Sequence, residues 1–499
     1  MNYLRKNIFL VIVLIVTLGF SQENNAFWDR TFWKSNPDIT EIDKKIAEGN
    51  DVSALNPNAF DAVTYALLEK VDNKTIKYLL SKKGNGVNKL THDGRTYIFW
   101  AAYRDNLEMM KYLVSKGART DVIDSHGYSV INFAAVTGQL NTEIYDFCIA
   151  NGADIKNEKN HDGANALLLI APFLTDYELV TYFVDKGIDL LSTDDQGNGI
   201  FNYAAKKGNQ KMMNLLIKKG VPYKNLNREG GNAMIFASQG TRGSSNTLEA
   251  YKYLESLGIK ANVTTDKGIT PLHALSYRNK DTSIFKYFLS KGVDINQPNE
   301  EGNTVFLNAA YLNNLEIVSL LAEHVTDINH KNKEGKTALM LAVSRNNLEV
   351  VNYLLDKGAD LFAKDAEGNT LSYYLLNAFN AKRTKAFEEK LTALQEKGFK
   401  VAKKQSGGNT LYHLAAKKND LALLKRVSAF NIPVNTVNQD GYTALHIAAM
   451  KSDNDNILKY LIAKGADKNI KTNFDESVYD LANENELLQK NEITLSFLK

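Results

Sequence analysis

The chain has 499 residues, 44% hydrophobic and 23% charged, a balance that excludes wholesale disorder and supplies apolar material for a large core. Its formal net charge of +3 falls to +1 once Arg5 and Lys6 leave with residues 1–21. Near-neutrality excludes nucleic acid as the expected partner, because phosphate neutralisation dominates that binding.

In chain order the first element is an address. Arg5 and Lys6 precede an apolar run from Ile8 to Phe20, which suits a signal-peptide core and falls short of the roughly 20 residues that span a bilayer. Gly19 and Ser21 are small residues placed for a cut before Gln22. Residues 1–21 are therefore expected to be a cleaved signal peptide, leaving no membrane span and a periplasmic or secreted protein. An uncleaved anchor is the alternative, and no Cys lies nearby for lipid attachment.

Residues 22–57 carry Ile39, Ile42 and Ile46 ahead of Gly49, which predicts an N-terminal capping unit. Phe27, Trp28, Phe32 and Trp33 either pack into that cap or offer a contact surface.

From 58 to 472 the chain repeats itself. Glycine recurs at Gly94, Gly127, Gly163, Gly197, Gly230, Gly268, Gly302, Gly335, Gly368, Gly408 and Gly441, mostly about 33 residues apart. Small pairs follow at Ala101-Ala102, Ala134-Ala135, Ala204-Ala205, Ala309-Ala310, Ala415-Ala416 and Ala448-Ala449. Helices bearing such pairs can approach closely, so each pair marks a seam. In 333–365, Thr337 is placed to cap a short helix ending near Asn346, and Asn347 to cap a second in which Val350, Val351, Leu354 and Leu355 share a face. Gly358 supplies the left-handed turn that ends it. That stripe has no partner within its own unit, so neighbours must stack.

Thr270-Pro271-Leu272-His273 with Leu275, and Thr443-Ala444-Leu445-His446-Ile447-Ala448-Ala449, resemble the ankyrin T-P-L-H-x-A signature, and Lys357-Gly358-Ala359-Asp360 and Lys464-Gly465-Ala466-Asp467 resemble its unit ends. Over roughly a dozen units the chain is similar to the ankyrin-repeat family. The resemblance implies an all-α solenoid of helix-turn-helix and hairpin units in a curved array. It also implies that His273, His413 and His446 bond turn backbone and tie neighbouring units. Elsewhere Phe99, Asn132, Leu168, Asn202, Leu307, Met340 and Tyr373 replace this His. Val325 stands at a helix-ending glycine position, where a β-branched side chain predicts local distortion.

Two units are longer between their helices. The stretch 239–246 is flexible by composition and 377–385 is polar and basic, and both are expected to be corner loops. Residues 473–499 begin as a further copy with Ala482 in the small position and then turn polar, as a C-terminal cap does.

Chemistry is not expected. Cys148, the sole cysteine, sits in an apolar helix face and reads as buried filler. His92, His126 and His161 recur at turn positions in successive units, but stacked units lie about 8 to 10 Å apart and zinc ligands must approach to roughly 2 Å. No nucleophile elbow, zinc helix or Walker loop is present. No catalytic residue, metal or cofactor is expected.

The resemblance places partner binding on the hairpin tips and the concave side of the first helices. Residues just after the small pairs give a basic and aromatic track of Tyr103, Arg104, Phe173, Lys206, Lys207, Tyr277, Arg278, Tyr311, Arg345, Lys417 and Lys418, with Ser344, Met450 and Lys451 at equivalent places. The expected function is a monomeric, non-catalytic scaffold that binds another protein, here an acidic segment or anionic polymer. Alternatives are a regulator or inhibitor of an envelope or host enzyme, and an enzyme with an unrecognised site. Composition favours a bacterial source.

Overall fold

The computed structural model describes residues 25–499, so the expected signal peptide at 1–21 lies outside the described residues. The chain divides into two compact bodies, Met1–Asp195 and Gln196–Lys499. Each is all-α, and among the described residues strand-like pairing is limited to isolated bridge positions such as Thr241 with Ser244.

The N-terminal body opens with the cap. Helix Ile39–Ala47 starts at Asp38, whose side chain accepts the Glu41 amide while Glu41 reaches back, and it buries Ile42. Phe27 and Trp33 are fully buried with their rings 5.8 Å apart, and the Trp33 indole donates to the Phe27 carbonyl at 2.9 Å. Of the two readings of these aromatics, packing is the observed one. Paired helices follow, as Ala62–Leu68 with Asn73–Leu80, Tyr97–Tyr103 with Leu107–Ser115, and Val130–Val136 with Thr142–Ala150.

The C-terminal body repeats the scheme from Ile200–Ala205 to Glu486–Lys490. First helices pack on first helices in series in both bodies. The seam is made by the small pairs: Ala101, Ala102, Ala309, Ala310, Ala448 and Ala449 are all at 0% exposure. A larger side chain there would push the helix axes apart.

The unit at 333–365 shows the local logic. Thr337 caps Ala338–Arg345 and Asn347 caps Leu348–Asp356, accepting the Met340 and Val350 amides. Val350, Val351 and Leu354 are buried, with Leu355 half-buried, in a helix that packs on its own first helix and on the second helices of both neighbouring repeats. Hairpin tips then staple repeat to repeat, the Lys333 amide donating to Glu301 at 2.9 Å and the Ala366 amide to Glu334 at 2.8 Å. Gly335 is held at φ +74, and a Cβ there would fall 2.4 Å from the Ala366 nitrogen. Only glycine fits that approach.

One expectation is met and two are corrected. The local distortion expected at Val325 is present: it does not adopt the positive φ of the glycines at equivalent positions, and the helix Leu315–Ala322 stops early, with Glu323 capping at φ −67. The β-branched residue is accommodated by a shorter helix. The stretch 239–246 is not a loose loop: the Thr241 and Ser244 amides donate to each other's carbonyls at 3.0 Å. The buried Asn246 amide anchors it to the Ala205 and Ala237 carbonyls, each at 2.9 Å. In 377–385, Asn377 ends one helix, and the next begins at Thr384 and runs 13 residues to Glu396. Part of that insertion is helix rather than loop.

Candidate functional site

The signature histidines are structural in their contacts. In each, Nδ1 accepts the amide of the capping Thr and Nε2 faces a carbonyl in the next hairpin: Asn303 at 3.2 Å from His273, Tyr442 at 2.9 Å from His413, Ile470 at 3.0 Å from His446. Burial pushes all three imidazoles below the usual histidine range, against the opposing pull of those carbonyls.

The track residues fall on both bodies. In the N-terminal body Tyr103 and Arg104 are half-buried, with the guanidinium 5.4 Å from the Tyr103 ring and Nε buried without a partner. Phe173 packs against the preceding corner, where a Cβ on Gly138 would meet its ring at 2.7 Å. In the C-terminal body Lys206 lies over Tyr203 and Phe236, at 5.0 and 5.1 Å, and the Lys418 amine donates to the Leu376 carbonyl at 3.0 Å. Lys207, Tyr277, Arg278, Arg345 and Lys417 are exposed, with Tyr311 half-buried. The structure therefore keeps part of the expected track outward and folds Phe173 and Lys206 into contacts of their own, while Lys418 is exposed with its amine tied back to Leu376.

These stapled hairpins and serial helix pairs agree with the family comparison. The family model for ankyrin repeats (3 copies) matches residues 63–159, 241–332, 272–365 and 378–472, together more than half of the chain. The chain belongs to the ankyrin-repeat family.

Curated ankyrin relatives are distant. An ankyrin repeat protein of fowlpox virus is 28% identical over 167 residues, 32% of this chain and 48% of its own length. One from Acanthamoeba polyphaga mimivirus is 26% identical over 240 residues, 46% of this chain and 30% of its own. A transient receptor potential cation channel subfamily A member 1 homolog of Caenorhabditis elegans is 24% identical over 220 residues, 44% of this chain and 15% of its own. The chain thus spans less than half the length of the curated relatives it matches.

The turn histidines of the ankyrin hairpins come closer than repeat spacing alone suggested. His92 Nε2 and His126 Nε2 each lie 3.3 Å from one Asp93 carboxylate oxygen, carried by a left-handed residue at φ 58. Arg95 binds the same oxygen at 3.0 Å and the buried Asp124 at 2.7 Å, and its guanidinium lies 4.3 Å from the Phe133 ring. His161 instead closes on Gly127. Among the described residues no group of three or more His, Cys, Asp or Glu is arranged to hold a metal ion. No described helix is long and apolar enough to cross a membrane.

Proposed function

We propose that the chain is a non-catalytic protein-binding scaffold that works after export. The observation that carries the reading is the set of outward side chains at the ends of alternate first helices, Tyr277, Arg278, Arg345 and Lys417, on a frame whose signature histidines are fully engaged in backbone contacts. Arg and Tyr are enriched among the side chains that carry interface energy, Tyr offering large area at low entropic cost and Arg a charged fork of hydrogen-bond donors. Viral relatives carrying the same repeats are themselves described as ankyrin repeat proteins. Export rests on Arg5, Lys6 and the apolar run after them.

The test is crosslinking of a C-terminally tagged chain in its producing cells, followed by fractionation. One protein should co-purify in the exported fraction and be lost from the combined Tyr277→Ala, Arg278→Ala and Arg345→Ala variant. A chain found alone, or a purified chain that turns over a substrate in a broad hydrolase and transferase screen, overturns the reading.

A further inference from the structure

Both departures from regular repeat length in the C-terminal body carry cations to the same place. Arg242 is exposed at the tip of the turn closed by Thr241 and Ser244, and Lys382 and Arg383 are exposed ahead of Thr384–Glu396. Each stands where a first helix, Ala233–Gln239 or Leu371–Asn377, hands over to its second. That is also the corner at which Arg278, Arg345, Lys417 and Lys451 follow or end the first helices Pro271–Leu275, Ala338–Arg345, Leu411–Lys417 and Ala444–Lys451. Because first helices pack in series, these corners form a row.

The cations of the row are not held in salt bridges. Among the described residues none of Arg242, Arg278, Arg345, Lys382, Arg383, Lys417 and Lys451 makes an ion pair, whereas Lys267, Lys291, Lys336, Lys397 and Lys459 are each held by a carboxylate. Acids do occur at the corners, but they face amide donors and not the cations of the row: Asp281 and Asp420 accept the Ser283 and Leu423 backbone amides, and Asp453 accepts from the Asn419 and Asn454 side chains. Tyr277 and Tyr311 lie between the cations, one exposed and one half-buried.

We infer that this row takes an extended acidic protein segment, and that the insertions, through Arg242, Lys382 and Arg383, lengthen and select for it. The inference rests on the scaffold reading above and adds the partner's chemistry. Stacked helices stand about 8 to 10 Å apart and an extended peptide advances about 3.3 Å per residue, so carboxylates three residues apart keep step with the repeats. The residues between them then lie against tyrosine rings, which a polyphosphate has nothing to match. Near-neutral net charge leaves the row as a local feature rather than a general attraction for polyanions.

The test uses the full chain and a fluorescein-labelled peptide with Glu at every third position and Leu and Ser between, beside the same peptide with Gln and a polyphosphate of equal charge. Anisotropy should show binding of the Glu peptide that weakens with salt, with the combined Arg242→Ser, Lys382→Ser and Arg383→Ser variant raising Kd about tenfold at unchanged circular dichroism. Equal binding of the Gln peptide, polyphosphate binding as tight as the Glu peptide, or a variant equal to wild type overturns it. Should the insertion variant retain the crosslinked partner while Arg278→Ser with Arg345→Ser loses it, the scaffold reading stands and this one falls.

Discussion

The Lys390 amine donates to the Val343 carbonyl at 2.8 Å and reaches the Ala342 carbonyl at 3.4 Å, although Lys390 lies in the second helix of the following repeat. Other repeats close the end of the preceding first helix with an amide side chain: Asn313 on Ser276 and Asn279, Asn346 on Ala310 and Asn313, Asn485 on Ala449 and Ser452. In the repeat with the long second helix Phe379 stands where that Asn would be and packs on Phe387 at 5.2 Å. The buried lysine substitutes for the missing amide.

Lys390 also makes stability depend on pH. Burial pushes its amine from the usual 10.5 down to about 8, so between those values the unfolded chain holds a proton that the folded chain gives up. Folding stability from this group therefore rises as pH climbs through that window, and the full cost of burying the charge is felt below it. The urea midpoint of wild type should rise more from about pH 7 to about pH 10 than that of Lys390→Met. Parallel slopes would show an amine that titrates as it does in water.

His446 predicts the opposite end of the pH range. Its imidazole is held below the ordinary 6.5, chiefly by burial, so the neutral ring's contribution is complete above 6.5 and is lost as pH falls through the folded value. His446→Phe removes contacts to Thr443 and Ile470 and should cost about 1 to 3 kcal/mol at neutral pH. It should also flatten the acid limb of the stability curve and speed amide exchange in the hairpin around Ile470. An acid limb identical to wild type counts against the assignment.

Cys148 should behave as core. It is 2% exposed, and burial, with a smaller push from Glu158, raises its thiol to about 12. Thiolate is the reactive form, so a disulfide reagent should label the native protein only as fast as the helix Thr142–Ala150 opens, with the rate climbing in urea. Prompt labelling in native buffer would contradict the burial.

What the sequence made legible was whatever recurs. The glycine period, the small pairs now found at the seams, and the caps at Thr337 and Asn347 are each repeated or local, so spacing and side-chain type were enough to place them. The Arg95 to Asp124 pair and the Lys390 contact with backbone carbonyls are single events between residues 29 and 47 or more positions apart, with no period to betray them. Composition misled at 239–246, where Gly and Ser suggested slack but Asn246 supplies amide donors that tie the loop to two helix ends. The track was legible only as a set of helix-end positions: standing after a small pair does not reveal whether Phe173 or Lys418 will find a neighbour.

Asn132 offers the sharpest test of what the signature histidine does. It follows the Ser129 cap by three residues, as His446 follows Thr443, and it is fully buried with both side-chain polar atoms unpaired. A buried amide without partners forfeits its hydration, at a cost of about 1 to 3 kcal/mol. The carbonyl that His413 and His273 reach belongs to the residue after the next turn glycine, Tyr442 and Asn303; for Asn132 that residue is Ala164, whose carbonyl already accepts the Asn160 amide as Tyr442 accepts that of Asn438. Asn132→His should therefore let Nδ1 accept at the helix start and Nε2 donate to Ala164, raising stability by about 1 kcal/mol. The reciprocal change, His446→Asn, should lower it. Urea unfolding read by circular dichroism decides the matter: a histidine at 132 that leaves the midpoint unchanged or lower would mean the tie depends on more than the imidazole.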